Sequence, residues 1–284
     1  MTVAVVTDST AYLPQHLVRD WNLEVVPMTV VVSGQAMDED EVAADVVGRS
    51  LGSWEIITTS GPNPERLLTM YRQLAKAGAT HIVSVHISSQ MSGTYASAKA
   101  AAAQAALPVT VIDSKTVGMA LGFSAIAGAR VAAQGGSADE VAYAIRTTAA
   151  LSSEFFYVDT LEHLRRGGRI NAGQALIGQA FSVKPLLCVR DGRVEQAEKV
   201  RTSSRALSRL VELAAEAAHA LPGPCDVAVH HLSSPERAVE ISEKVAARLK
   251  DRLAAEPVVT EVGAAVGAHV GPGMVAVVVA PHSA

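Results

Sequence analysis

The sequence predicts an α/β fold made of two domains, and three observations support this prediction. In the first half, short runs rich in β-branched residues alternate with segments of helical period, which is typical of a parallel sheet with flanking helices. Near residue 155 this pattern gives way to a hairpin signal and two long helical segments. Finally, 49% of the 284 residues are hydrophobic but only 4% are aromatic, which indicates a large interior of aliphatic side chains.

The N-terminal domain is assigned to residues 1–154 and is predicted to be a Rossmann-like parallel sheet with helices on its faces. Three helices are expected, at Glu39–Leu51, after the N-cap signal Asn63-Pro64, and at the alanine-rich segment Ser92–Ala106. The strands of this domain are expected at Val3–Val6, Val25–Val32, Ile56–Thr59, His81–Ile87 and Val109–Ile112.

The C-terminal domain, residues 155–284, is predicted to be a mixed α/β domain. Asp191-Gly192 suits the positive φ angles of a type I′ turn, so Leu186–Arg190 and Arg193–Val200 are expected to form a hairpin. A helix over Leu161–Arg166 is expected to end at Gly167-Gly168. The remaining strands are expected at Phe155–Val158, Asp226–His230, Val258–Val266 and Met274–Ala280, and the long helices at Ser203–Ala220 and Pro235–Ala255.

Charge and cysteine content argue against several classes of protein. With 24 Lys and Arg against 28 Asp and Glu the formal net charge is −4, whereas a nucleic-acid or anionic-membrane surface needs clustered cations. Cys188 and Cys225 match no CxxC spacing, so we expect neither a zinc site nor a disulfide framework, and we expect a reducing, cytoplasmic location. The N-terminus lacks the basic region of a signal peptide, and glycines interrupt the apolar stretch that begins at Val262, so no membrane span is expected.

Hydroxyl-rich loops follow four of the predicted strands. Because the carboxyl ends of parallel strands meet at one edge of a sheet, these loops are expected to line a shared crevice. Each loop leads into a helix, so free backbone N–H groups lie beside the hydroxyls, which suits a small anion such as a carboxylate or a phosphate. The alternative is that these Ser and Thr residues only cap helices. The loops are Thr7–Thr10, Thr58–Gly61, Ser88–Thr94 and Asp113–Thr116.

A stand-alone serine esterase or hydrolase is the competing hypothesis, with Ser92 as the nucleophile and His269 as its base. His269 lies in the glycine-rich stretch Gly267–Gly273, where a lone histidine is more often structural, and the chain has no G-x-S-x-G motif. Phosphate-binding-loop, dinucleotide-binding and HExxH motifs are absent as well, and His230 and His231 would point to opposite faces of a strand. No metal or cofactor is therefore expected.

The basic residues are densest in the second half of the chain. Two interpretations stay open: solvated helix ends and a hairpin edge, or a docking surface for an acidic partner or a phosphate. The residues concerned are Arg165, Arg166, Arg169, Arg190, Arg193, Lys199, Arg201 and Arg205.

A series of motifs runs in a fixed order along essentially the whole chain. They are VVTDST in residues 5–10, TTSGPNPE at Thr58–Glu65, SSQMSGTYASA at Ser88–Ala98, IDSKTVGMALG at Ile112–Gly122, VDTLEHLRRGGRI at Val158–Ile170, KPLL at Lys184–Leu187, DGRVEQAEKVRT at Asp191–Thr202 and GAHVGPG at Gly267–Gly273. In this order they resemble the DegV family, the fatty-acid-binding proteins that serve bacterial fatty acid kinases. One departure is Gly61, where the family usually has Gln after the Thr-Ser pair.

This resemblance implies a two-domain protein that holds one long-chain fatty acid in a tunnel between its domains. Thr59 and Ser60 in the TS motif look like ligands of the fatty-acid carboxylate. Ser92 and Gly93 in the SGTY motif look like ligands of the same carboxylate, and His269 would lie near it. Apart from this lipid, the resemblance implies no cofactor and no metal.

The function that the resemblance implies is that of a carrier, not of an enzyme. The protein would present the carboxylate to a separate dihydroxyacetone-kinase-like fatty acid kinase, and it would then carry the acyl-phosphate to an acyltransferase for phospholipid synthesis. Arg169 in the GGRI motif and Arg201 in the VRT motif resemble the family's positions for engaging the kinase and its phosphate chemistry. No residue of this chain is then expected to be catalytic.

Overall fold

The described residues form three β-sheets with helices packed around them. The structure is a computed structural model that describes residues 2–32, 34–42, 57–170 and 184–283. The strands of these residues are β1 Val3–Asp8, β2 Glu24–Val26, β3 Thr29–Val32, β4 Gln35–Asp38, β5 Ile57–Ser60, β6 His81–His86, β7 Val109–Asp113, β8 Ser153–Tyr157, β9 Lys184–Arg190, β10 Arg193–Val200, β11 Cys225–His231, β12 Val258–Glu261 and β13 Val275–Pro281.

Helices flank the sheets throughout the described part of the chain. Two short 3₁₀ turns, Ser9–Ala11 and Glu39–Glu41, follow β1 and β4. The α-helices are α1 Gln15–Asp20, α2 Pro64–Lys76, α3 Thr94–Ala102, α4 Met119–Ala133, α5 Ala138–Leu151, α6 Glu162–Arg166, α7 Ser203–Ala220, α8 Pro235–Leu249 and α9 Ala264–Val270.

The first sheet is parallel throughout, in the order β2-β1-β6-β7. Alternate residues of β6 face opposite layers: Val83 and Val85 pack on the side of α4 and α5, whereas Ile82 packs with Leu67 and Ala98 of α2 and α3. Burial on both faces is what a parallel sheet requires of its strands. The predicted α/β fold with an N-terminal, Rossmann-like parallel sheet is thus confirmed.

The second sheet is mixed and has the order β10-β9-β8-β13-β11-β12. Only β11 and β12 are parallel neighbours within it. Leu210 of α7 and Ile241 of α8 cover one face, where they pack with Tyr157 and Val277. The opposite face, which includes Phe156, turns toward the first half of the chain and forms part of the wall described below.

The third sheet corrects two predictions. Val25–Val32 was expected to be a single strand, but β2 belongs to the parallel sheet and β3 to a small antiparallel sheet, β4-β3-β5. Pro27 lies between the two strands and has no N–H for a sheet hydrogen bond, so the ladder stops there and the chain changes sheets. The strand expected over Ile56–Thr59 was assigned to the parallel sheet, but β5 also belongs to this antiparallel sheet, where Thr59 and Ser60 pair with Val30 and Thr29.

Four further predictions differ from the structure at one or both ends. The strand expected over Val258–Val266 ends at Glu261, because a helix, α9, begins at Ala264. The helix expected over Glu39–Leu51 differs in its first residues, since Glu39–Glu41 is a 3₁₀ turn and Val42 is extended. Residues 43–51 lie outside the described residues, as does Ile56, so the rest of this prediction stays a prediction. The helices expected at Ser92–Ala106 and Pro235–Ala255 are shorter, as α3 and α8 show.

The turn predictions agree with the structure. Asp191 and Gly192 have φ angles of 48° and 79°, as a type I′ turn between β9 and β10 requires. Helix α6 ends at Arg166 with Gly167 as its C-cap, and Gly168 takes a φ of 69°, which reverses the chain after the helix. The long helix predicted at Ser203–Ala220 has those bounds in α7.

Candidate functional site

An apolar cavity lies between the carboxyl edge of the parallel sheet and the open face of the mixed sheet. It has a volume of about 1000 Å³, part of which is open to solvent. Ile87 and Val117, which follow β6 and β7, line one side, and Phe156 and Val278 of the mixed sheet line the other. Ligand crevices are expected at this edge of a parallel sheet.

Polar side chains and backbone groups gather on one part of the cavity wall, and we call them the polar cluster. They come from β5, from the loop before α3, from the turn after α6 and from α9. The polar cluster consists of Thr59, Ser60, Ser92, Gly93, Arg169 and His269. The structure therefore brings together all five residues predicted to bind a carboxylate, and it adds Arg169 to them.

His269 is half-buried at the centre of this cluster. Its Nε2 atom is hydrogen-bonded to Thr59 Oγ1 at 2.9 Å. Burial, together with the positive charge of Arg169, lowers the pKa of His269 to about 4. A Cβ atom at Gly167 would collide with Nδ1 on the other side of the ring, so the glycine at that position lets the imidazole approach the backbone closely. The ring is thus neutral near pH 7.

Ser92 and Gly61 are linked through Thr94 at the start of α3. The hydroxyls of Ser92 and Thr94 are 2.8 Å apart, and Ser92 Oγ also accepts a hydrogen bond from the Thr94 N–H at 3.3 Å. A Cβ at Gly61 would lie 2.9 Å from Thr94 N, closer than packed atoms allow. This contact supplies a physical reason for glycine at the position where the sequence departs from the family's pattern.

Arg169 was predicted to engage a kinase, and the structure places it on the cavity wall. Its Nε and Nη2 atoms donate to the carbonyl oxygen of Met91 at 3.2 and 3.0 Å, and Nη1 donates to the carbonyl of Gly167. The guanidinium is half-buried, and burial lowers its pKa from the ordinary value. These bonds fix a cation beside His269 and next to Ser92.

Arg201 lies apart from the cavity. It is exposed and lines a surface groove together with Lys199 and Arg205. Arg209 borders the same groove, but it is held by Glu198, Glu212 and Glu216. Other members of the predicted basic region are engaged locally: Arg165 pairs with Glu162, Arg190 with Glu195, and Arg193 binds Gln90.

Two residues that the sequence analysis missed hold the helix that carries His269. Glu39 Oε1 accepts the Ala265 N–H at 2.8 Å, and the Tyr12 hydroxyl accepts the Val266 N–H at 3.1 Å and donates to Glu39 at 3.0 Å. These bonds satisfy the first N–H groups of α9. Burial raises the pKa of the Glu39 carboxyl. In sequence, Glu39 looks like one member of an ordinary acidic run, which gave no signal of this role.

Glu154 of β8 was also missed, and it lies on another part of the cavity wall. Its side chain is buried, and its Oε1 atom accepts a hydrogen bond from the Val117 N–H at 3.0 Å. Oε2 has no hydrogen-bond partner in the described part of the chain. Burial raises the pKa of Glu154 to about 8. His230 also lines the cavity; it accepts the Met119 N–H at 2.9 Å, and burial lowers its pKa to about 4.

Among the described residues, no group of three His, Cys, Asp or Glu side chains is placed to hold a metal ion. None of the helices in these ranges is both long and apolar enough to cross a membrane. Cys188 and Cys225 are buried free thiols.

A protein-family comparison matches nearly the whole chain. Residues 2–282 match the model of the DegV family, which is described as an uncharacterised protein family. A DegV domain-containing protein of Streptomyces coelicolor is 48% identical over 280 residues, which is 98% of each chain. A second DegV domain-containing protein, from Mycobacterium tuberculosis, is 38% identical over 285 residues, which covers 98% of this chain and 97% of the relative.

Solved structures agree with this match. A DegV family protein from Thermus thermophilus, described by its fatty acid binding, superposes with a TM-score of 0.91 at 29% identity and covers 99% of this chain and 100% of its own. DegV from Bacillus subtilis, described as a fatty acid binding protein, superposes with a TM-score of 0.89 at 32% identity, again over 99% and 100% of the two chains.

Proposed function

Since this chain belongs to the DegV family, we propose that it binds a long-chain fatty acid and carries it to a separate fatty acid kinase. The observation that supports this most is the polar cluster at one part of a largely apolar cavity. We assign the ligand to the boundary between an N-terminal domain, residues 1–154, and a C-terminal domain, residues 155–284. Both sides of that boundary contribute residues to the wall, among them Ile87 and Phe156.

The acyl chain is the source of affinity in this proposal. A chain of about fifteen methylenes gains roughly 12 kcal/mol on leaving water, at about 0.8 kcal/mol for each CH₂ group, before the costs of ordering and association are subtracted. The aliphatic and aromatic wall, which includes Met91, Phe156 and Val278, offers the surface that such a chain needs. A ligand held in this way is expected to remain bound during purification.

The carboxylate needs donors, because an ionised group loses its hydration on burial. The hydroxyls of Thr59, Ser60 and Ser92 and the backbone N–H of Gly93 supply neutral donors. Arg169 supplies a fixed cation, and hydrogen bonds to a charged group are stronger than neutral ones. A phosphate-bearing head group has the same needs, so the polar cluster suits an acyl-phosphate as well.

The surface groove with Arg201 is our candidate for kinase docking. Lys199, Arg201 and Arg205 are exposed there, and clustered cations attract a partner of opposite charge or a phosphate. A dihydroxyacetone-kinase-like kinase would phosphorylate the presented carboxylate. The carrier would then deliver the acyl-phosphate to an acyltransferase for phospholipid synthesis in the cytoplasm.

The geometry favours binding over the hydrolase that the sequence left open. His269 Nε2 is bonded to Thr59, while Ser92 is bonded to Thr94, so Ser92 and His269 do not form a nucleophile–base pair. With a pKa of about 4, His269 is also a weak base near neutral pH.

Mass spectrometry of an organic extract from the purified, denatured protein tests the binding role. We expect a stoichiometric long-chain fatty acid, whose mass gives the acyl length and saturation. An empty extract, followed by failure to bind added fatty acids, would contradict the proposal. Hydrolysis of activated esters by the protein alone, lost in Ser92→Ala, would favour the hydrolase instead.

Arg201→Glu tests the docking role. The variant is expected to keep its fatty-acid affinity but to lower turnover by the kinase in a mixture of carrier, fatty acid kinase and ATP, because the change reverses one charge of the groove. Glu256→Gln, an exposed change elsewhere, is the control. Normal turnover with Arg201→Glu would count against docking at this groove.

A further inference from the structure

Glu154 lines the apolar cavity, and one of its carboxyl oxygens has no hydrogen-bond partner in the described part of the chain. Its side chain is only 6% exposed, and it lies opposite Val278 of β13 in the mixed sheet. The Val117 N–H donates a hydrogen bond to Oε1 at 3.0 Å, whereas Oε2 has no hydrogen-bond partner in the described part of the chain. Buried polar atoms in folded proteins almost always have a hydrogen-bond partner, so we expect a bound ligand to supply the partner of Oε2.

The surroundings of Glu154 keep its carboxyl group neutral. Burial is the largest cause that raises its pKa to about 8, so the group carries a proton near pH 7. A surface pocket on which Lys115, Arg146 and Arg190 lie also borders Glu154, but no side chain of that pocket is bonded to Oε2. A protonated carboxyl group has an O–H donor, which therefore lacks an acceptor.

Glu154 is separate from the polar cluster. It shares no hydrogen bond with the described residues of that cluster, and it lies on β8, where its neighbours on the cavity wall are Val117 and Val278. A lipid whose carboxylate lies at Thr59 and Ser92 would therefore reach Glu154 with its acyl chain, not with its head group.

We propose that Glu154 selects fatty acids with a hydroxyl group on the distal part of the acyl chain, whose oxygen accepts a hydrogen bond from the Glu154 carboxyl group. The proposal rests on the fatty-acid-binding function proposed above. A methylene placed against Glu154 leaves a buried donor unsatisfied, whereas a hydroxyl satisfies the donor and buries its own oxygen with a partner. Sites built around such a group discriminate against the analogue that lacks the hydroxyl.

Competition binding to the delipidated full-length protein tests this selectivity. The probes are octadecanoic acid and a series of its derivatives with one hydroxyl group moved from the carbon beside the carboxylate toward the methyl end. At least one distal isomer is expected to bind about tenfold more tightly than octadecanoic acid, as one added hydrogen bond implies. The isomer with the hydroxyl beside the carboxylate is expected to show no such gain.

Two substitutions assign the preference to Glu154. Glu154→Leu is expected to abolish the preference while keeping the affinity for octadecanoic acid, and Glu154→Gln, whose amide group still donates, is expected to retain it. Glu256→Gln, at an exposed site, is the control and should match the wild type. Circular dichroism melting shows whether each variant is folded, and the Gln variant keeps an acceptor for the Val117 N–H.

The outcomes separate this inference from the proposed function. If the wild type binds octadecanoic acid as tightly as every hydroxylated isomer, or if Glu154→Leu keeps the preference, selection by Glu154 is wrong while fatty-acid binding stands. If no fatty acid binds at all, the proposed function is wrong, and the selectivity falls with it.

Discussion

The polar cluster and the part of the cavity wall that carries Glu154 differ in how many of their polar groups have hydrogen-bond partners. In the polar cluster, Thr59 is bonded to His269, Ser92 to Thr94, and Arg169 to the carbonyl of Met91. On the other wall, Glu154 has one bonded oxygen and, within the described residues, one without a partner. The first region is therefore preorganised for a head group, whereas the second lacks one hydrogen bond that a ligand can supply.

This difference indicates which part of the cavity would bind the group that all fatty acids share and which part would distinguish one acyl chain from another. A carboxylate is common to all fatty acids, so a rigid set of donors binds the class without distinguishing its members. Discrimination among acyl chains needs a group that gains or loses a hydrogen bond with the chain itself, which is what Glu154 offers. Substitutions in the two regions should therefore affect different observables.

The largest effect is expected from the pH dependence of folding at Glu154. Its folded-state pKa of about 8 lies above the ordinary value of 4.5, so the folded protein keeps a proton that the unfolded chain releases between these values. The free energy of unfolding should therefore fall as pH rises through this window and level off above it. The loss amounts to at most roughly 5 kcal/mol, at about 1.4 kcal/mol for each pKa unit.

Urea unfolding from about pH 4 to pH 9 measures this dependence. Glu154→Gln should remove the fall and be more stable than the wild type at the alkaline end. The exposed variant Glu256→Gln should follow the wild type. Identical curves for Glu154→Gln and the wild type would show that Glu154 ionises normally.

A smaller effect is expected from Arg169→Met, which keeps much of the apolar stem and removes the cation. Loss of a charged hydrogen bond costs about 2 kcal/mol, so fatty-acid affinity should fall about thirtyfold. Displacement of a fluorescent fatty acid measures it, with Arg201→Glu as the comparison that keeps its affinity. Unchanged affinity together with lost kinase turnover would return Arg169 to a docking role.

Gly61→Ala is expected to destabilise the fold by about 1 to 3 kcal/mol, because its Cβ would overlap the Thr94 backbone. Gly93→Ala is a matched control one residue before α3, since a Cβ there would meet nothing within 4 Å. Urea midpoints of the two variants should differ clearly. Equal midpoints would mean that the loop bearing Gly61 moves without cost.

The smallest effect is expected from Ser92→Ala. Removing one neutral donor should weaken fatty-acid binding about fivefold, or about 1 kcal/mol, and shorten ligand retention. Ser204→Ala, an exposed hydroxyl deletion on α7, should leave both unchanged. Binding equal to that of the wild type would remove Ser92 from the carboxylate site.

Much of the fold could be predicted because its local signals are strong. The dipeptide Asp191-Gly192 predicts its turn from local sequence alone. The amphipathic period of Ser203–Ala220 predicts its helix in the same way. Two features of the fold could not be predicted from the hydrophobic pattern of the sequence. Val25–Val32 is one continuous apolar run whose change of sheet depends on tertiary packing around Pro27. Helix α4 has most of its residues buried, so it shows no polar face and was not predicted.

The candidate site was predictable where it follows strand ends. Ser92 stands in the loop after β6, where the rule about the carboxyl edge of parallel sheets applies. Thr59 lies in β5 of the antiparallel sheet, so that rule does not explain why it reaches the same site. Glu154 was not predictable, because a lone glutamate at the start of a strand usually faces solvent, and only the layer packed against β8 buries it.

The capping of α9 by Glu39 and Tyr12 bears on how this protein can be recombined with its relatives. The helix lies in the second half of the chain, while the groups that satisfy its first N–H groups come from the first half. A chimera that joins halves of two relatives would separate the helix from its cap. A working chimera would have to take Glu39, Tyr12 and Gly263 from the same parent protein, since a Cβ at position 263 would collide with the Glu39 carboxyl group.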